Sequence, residues 1–247
     1  MNKMIEIVLT NNGSEFLRCN YVRMDPYAPN SGRKFVFSSI TLIKNLINWD
    51  DRISVDITVF NEQNKPIFLN NFEIFVLNFD SEYKHQNEWW VYGNVFNIDD
   101  TEYRQGKIDV FDIWQRGQHF DWFSLHANSQ NKLDYISACL NYSGISKKMI
   151  KRDVYQFDMS LIKEERDFYY LASLQFIGDK GYFGHDLYTF EDCLLELYNY
   201  NGYFYNKRMI FFNTEEIVSK EMITFFQELR KIFFKYKFSV EYFFDSA

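Results

Sequence analysis

Proline and glycine are scarce in this chain, at three and ten of 247 residues, and neither a low-complexity tract nor an internal repeat is visible. The prolines all fall early, at Pro26, Pro29 and Pro66. No run of 18 apolar residues occurs, because charges interrupt even the greasiest stretch, FFQELRKIFFKYKF. That excludes a membrane-crossing helix. The N-terminal MNKMIEIVLTNNGSEF lacks the long apolar core and small-residue cleavage site of a signal peptide. Cysteines are few and odd in number, Cys19, Cys139 and Cys193, with no CxxC pair. They form no disulfide framework and fit a reducing compartment, so a soluble, cytoplasmic protein is expected.

What is present points to a folded chain. Hydrophobic residues make up 47% and aromatic residues 20%, far too apolar for disorder, and the length suits one large domain or two ordinary ones. The net charge of −7 tells against nucleic acid as the direct partner. Most of it lies late: Val154–Ala247 holds 15 acidic and 10 basic residues, net −5, leaving −2 for residues 1–153. Between Lys180 and Lys207 stand four acids, Asp186, Glu191, Asp192 and Glu196, and no Lys or Arg. Such a window is either an ordinary solvated face or a landing surface for a cationic partner.

The first half reads as strands, at Met4–Thr10, Glu15–Met24, Arg52–Phe60, Pro66–Asn78 and Glu88–Asn97, parted by the turn-like clusters NNGS, DPYAPNSG, NEQNK and DSEYKHQN. A sandwich or a curved sheet on a helix is expected. Asn131–Asn141 suits a short helix closed by Gly144, and the cluster Lys147, Lys148, Lys151, Arg152 suits a domain boundary. Beyond it the period changes. The pattern predicts a strand at Val154–Met159 and a helix at Leu161–Phe176 with Ser160 as cap. A second helix over Asp186–Tyr198 and a strand at Met209–Phe212 come next. A helix at Lys220–Tyr236, opened by Thr214, Glu215 and Glu216, and a strand at Phe238–Phe244 complete the unit. Helical crossovers make the three strands parallel, and the segment from about residue 151 is expected to fold alone.

The most specific segment is GYFGHDLYTFEDCL, Gly181–Leu194. On a helix from Asp186, Leu187, Phe190, Leu194 and Leu197 form the buried stripe. Tyr188, Glu191, Asp192 and Glu196 face away from it, while Tyr182 and His185 project from the loop beside the first turn. Gly184 permits a turn too tight for a side chain.

The segment resembles the signature of the barstar family: Tyr182, Phe183, Gly184, Leu187, Phe190, Asp192, Cys193 and Leu194 all stand in register. The order of elements from Val154 to Ala247 is also similar to that family's small parallel sheet with surrounding helices. The resemblance implies a barstar-like α/β domain over 151–247; with the strand pattern of residues 1–150, which lie outside it, the expected chain is α+β, with a β-rich domain of unknown role over 1–150. It further implies an immunity or antitoxin protein that occludes the active site of a basic nuclease toxin, a ribonuclease by preference. Such an inhibitor has no turnover, no metal and no cofactor, and makes no direct contact with nucleic acid or membrane. By position Tyr182 matches the family's loop tyrosine and Asp192 its central inhibitory aspartate, and Glu228 falls near its acid on the next helix. His185, Asp186, Tyr188 and Glu191 complete the implied contact set. Tyr188 stands where the family's pattern has an acid, and Glu191 where it has a tryptophan, which points to a different target. The physical logic is mimicry, since a carboxylate on a rigid helix can take a phosphate's place among Lys and Arg.

Other classes remain open. GQHFDWFSLHAN supplies His119, Asp121, Ser124 and His126; a strand would put His119 and Asp121 on one face as an acid–base pair. Surface histidines are the commoner explanation. Cys193 with His185 could form a thiol pair, but Cys193 falls near the buried side. Trp89, Trp90, Trp114 and Trp122 could form a ligand platform, though aromatics so abundant are more often core. A non-inhibitory scaffold or ligand-binding protein is the alternative function.

Overall fold

The structure, a computed structural model, describes residues 3–25, 32–44, 47–48, 50–79, 87–97, 103–202, 204–214 and 219–242. The turn clusters containing Pro26, Pro29 and residues 80–86, the helix opening at Glu215 and Glu216, and the strand end at Phe243 and Phe244 lie outside them. The chain forms two compact units, Met1–Phe120 and Asp121–Ala247.

The first unit is a closed antiparallel barrel in the order β1-β2-β3-β6-β5-β4, not an open sheet or sandwich. Its strands are β1 Ile5–Asn11, β2 Ser14–Met24, β3 Arg33–Ile43, β4 Arg52–Phe60, β5 Pro66–Phe79 and β6 Glu88–Phe96. Two three-stranded meanders join through β3–β6 and β1–β4 pairing. Closure leaves no free edge. Alternate residues fill the interior: Ile7 pairs with Ile57 and Leu9 with Val55, and all four are fully buried. Phe35 stacks on Phe72 at 5.3 Å. A barrel this narrow is filled by its own side chains. Gly93 is required in β6, because a Cβ there would stand 2.2 Å from the Phe75 carbonyl oxygen.

Helix α1, Gln105–Gln115, is fastened to the barrel at both ends. The Gln105 amide donates to the Val22 carbonyl at 2.9 Å and accepts from the Met24 N–H at 3.1 Å. Gln115 accepts from the backbone N–H groups of Met4 and Ile5 at 3.0 and 3.1 Å. Tyr21 donates to Asp109 at 2.9 Å.

The second unit carries α2 Gln130–Ser143, β7 Val154–Asp158, α3 Glu165–Phe176, α4 Leu187–Asn201, β8 Arg208–Phe212, α5 Lys220–Lys235 and β9 Ser239–Tyr242. Its sheet runs β7-β8-β9, all parallel, as helical crossovers require. The core is aromatic. Phe168 of α3 meets Phe157, Phe190, Phe225 and Phe233 at centroid distances of 5.4, 5.3, 5.7 and 6.4 Å.

The units divide at Phe120, not near residue 150, and the reason is a buried ionic cluster. Lys132 on α2 is 3% exposed and reaches Asp167 Oδ1 at 2.7 Å and Glu164 Oε1 at 2.9 Å. The Trp122 indole donates to the same Asp167 oxygen at 2.7 Å, and Trp122 stacks on Tyr170 at 4.4 Å. Residues 121–150 are thereby tied to α3, and the Lys147–Arg152 cluster lies within the second unit. Helix α3 also starts later than expected. Asp158 caps a short 3-10 turn over Met159–Leu161, and Asp167 Oδ2 accepts from the Lys163 and Glu164 N–H groups at 3.0 and 3.1 Å. Ser160 is therefore inside the turn and caps nothing of α3.

Candidate functional site

The segment Gly181–Leu194 forms a buried loop leading into α4. Gly184 has φ +91, and a Cβ there would meet the Phe190 backbone nitrogen at 2.6 Å, so the loop presses on the helix where only glycine fits. Phe183 stacks on Phe176 at 4.7 Å. Tyr182 does not project as expected. It is 4% exposed, its N–H donates to Ser143 Oγ at 3.0 Å, and its hydroxyl lies 2.9 Å from His185 Nδ1. Burial pushes its pKa up to about 12. It shapes the site from beneath, while His185 stands exposed at the surface.

Asp186 is the N-cap of α4. Its Oδ1 accepts from the Thr189 N–H and hydroxyl, both at 2.8 Å, and Thr189 Oγ1 accepts from the Asp186 N–H at 3.2 Å. Burial works against this carboxylate, but the bonds from Thr189 outweigh it and hold its pKa below the ordinary value. One oxygen is thus committed to the helix, which begins where the sequence pattern predicts.

Along α4, Phe190, Cys193, Leu194 and Leu197 are buried. Leu187, expected among them, is half-exposed. Burial, and then the Asp192 charge, push the Cys193 thiol up to about 12, which removes it as a nucleophile. The outward ridge is Tyr188, Asp192, Leu195 and Asn199, all exposed at spacings of four, three and four. Tyr188 is 84% exposed, an extreme for so large a side chain.

Two flanks hold the ridge. On the α5 side Glu191 pairs with Lys235, and Tyr198 meets Tyr236 edge-on at 6.0 Å. On the other, Glu196 lies 3.8 Å from Lys147, and the Asn201 amide donates to the Lys147 carbonyl at 3.2 Å. Of the three acids on α4, Asp192 alone makes no hydrogen bond or ion pair among the described residues. Glu228 of α5 pairs with Lys231 at 2.6 Å. The α4 side chains of the implied contact set come together on one face, whereas Tyr182 is beneath it and Glu228 is occupied on its own helix. Leu195 and Asn199 were not anticipated, though their spacing from Tyr188 continues the same stripe.

The other candidates disperse. His119, Asp121, Ser124 and His126 are all exposed, and Ser124 donates to the Asp121 carbonyl within the Trp122–Ser124 turn. No strand places His119 and Asp121 on one face. Trp89, Trp114 and Trp122 are core residues, and Lys34 lies over the Trp90 ring at 5.2 Å. No group of three or more His, Cys, Asp or Glu suited to a metal occurs among the described residues. No helix among them is long and apolar enough to cross a membrane. Comparison with protein-family models, curated proteins and solved structures finds no match.

Proposed function

We propose that the chain is an immunity or antitoxin protein, barstar-like in its second unit, that inhibits a basic nuclease toxin by stoichiometric occlusion of its active site. A ribonuclease is the first choice of target. The observation that carries this reading is Asp192, an exposed and unpaired carboxylate on a rigid, capped helix, one turn from an aromatic ring that is almost wholly in water. The order of elements and the parallel sheet support the resemblance from which the reading comes. A carboxylate so placed can accept paired hydrogen bonds from an arginine that otherwise holds phosphate, and its desolvation in the complex would slow release.

The test is inhibition of RNA cleavage by a panel of small basic microbial ribonucleases, with wild-type chain and an Asp192→Ala variant. Stoichiometric inhibition by the wild type, weakened by about 2–5 kcal/mol in the variant with unchanged thermal stability, supports the reading. Equal inhibition by both proteins places the contact elsewhere, and catalytic turnover of RNA by the purified chain refutes it.

A further inference from the structure

The α4 face is less acidic than its sequence suggests. Its three acids, Glu191, Asp192 and Glu196, are met by two lysines from outside the helix, Lys235 and Lys147. With Asp186 at the N-cap, half exposed, four negative and two positive charges leave −2. Each of the two pairs, one on either flank of the ridge, presents little net charge to an approaching molecule. The same helix exposes large apolar side chains: Tyr188 is 84%, Leu195 43% and Tyr200 57% exposed. Lys147 lies over the Tyr200 ring at 4.6 Å. Ile145, also exposed, pairs through its backbone with Tyr182.

We propose that this face is read as an aromatic ridge bearing a single unpaired carboxylate, and that its partner is a ribonuclease whose cleft sets one cationic side chain beside an apolar socket. The partner class is that of the inhibitor reading above, on which this rests. A face whose flanking acids are already paired steers encounter weakly, so recognition falls on contacts made after collision. Large, rigid, exposed tyrosines dominate such contacts. A broadly basic cleft would gain little from a surface whose acids are already matched by lysines. Tyr188 is then the specificity-determining residue and Asp192 the orienting one.

The experiment uses the full chain and a small basic microbial ribonuclease that it inhibits, with association measured by stopped flow at low and high salt. For the wild type, the association rate should change by less than about threefold across that range. Lys147→Ala with Lys235→Ala unmasks Glu196 and Glu191. Both lysines are more than half exposed, so folding should survive. The low-salt association rate of this double variant should rise about tenfold. Tyr188→Ala should weaken affinity by about thirtyfold or more, and Tyr188→Phe by much less. A wild-type rate that falls tenfold with salt, a double variant that associates like wild type, or a silent Tyr188→Ala overturns the ridge while leaving the inhibitor reading intact. If none of the panel is inhibited, the inhibitor reading fails and the ridge assignment falls with it.

Discussion

Replacing Asp167 with alanine is expected to destabilise the second unit by about 3–5 kcal/mol, the usual consequence of removing one partner of a buried ion pair. The carboxylate accepts four hydrogen bonds, from the Trp122 indole, the Lys132 ammonium and the Lys163 and Glu164 N–H groups. Its loss strands a buried cation with Glu164 as its remaining acid. Two backbone donors at the start of α3 lose their acceptor at the same time. Against a total stability of about 5–15 kcal/mol, that is a large share. Urea unfolding of the full chain, followed by hydrogen exchange in α2 and α3, measures it. Lys132→Met removes the charge but leaves Asp167 three donors, so it should cost less, and the two substitutions together should cost less than their sum. A loss below about 1 kcal/mol for Asp167→Ala would refute the view that this cluster holds residues 121–150 to α3.

The same cluster makes Asp121 the start of the shortest stable fragment: residues 121–247 should unfold cooperatively, and a fragment from Lys151 should be molten, as circular dichroism will show. Tyr169 has a buried hydroxyl without a hydrogen-bond partner among the described residues, so Tyr169→Phe should be neutral or stabilising by up to about 1 kcal/mol in the same assay; a clear loss would reveal a bound water. Stability should fall above about pH 10. Burial opposes the Lys132 charge, but its bonds to Asp167 and Glu164 outweigh that and raise its pKa, while burial raises Tyr155 to about 12. Groups raised on folding keep their full contribution below the unfolded value and lose it as pH rises through the folded one. A flat urea midpoint from pH 9 to 11.5 would contradict both.

The second unit was largely legible because its signals are local. Helices α4 and α5 carry caps and a strong period, and the strands between them are short apolar runs bounded by turns. The first unit hid two elements. In β3, Phe35, Val36 and Phe37 are buried consecutively, which breaks the alternation that marks a strand. Helix α1 starts at Arg104 without a side-chain cap, has no acid in its first turn and contains Gly106, so it lacks the signals of a helix start. Barrel closure depends on β1 meeting β4 and β3 meeting β6, pairings between distant segments that no local pattern encodes.

The face of α4 was legible as a list of residues and not as a charge distribution. Periodicity alone separates the side of Tyr188 and Asp192 from that of Phe190 and Leu194. It cannot show that Glu191 and Glu196 are matched, because their lysines stand 44 and 49 positions away, at Lys235 and Lys147. The window from Lys180 to Lys207 is free of basic residues in sequence but not in space. The boundary misplaced near residue 150 has the same origin. Lys132 stands at the start of the short helix that the pattern predicts, and its acids, Glu164 and Asp167, lie beyond a basic segment that resembles a linker. In both places a lysine far along the chain changes what an acid can do. At Asp167 it makes the carboxylate part of the core, and on α4 it engages two of the helix's three acids, so that Asp192 is the one left without an ion pair among the described residues.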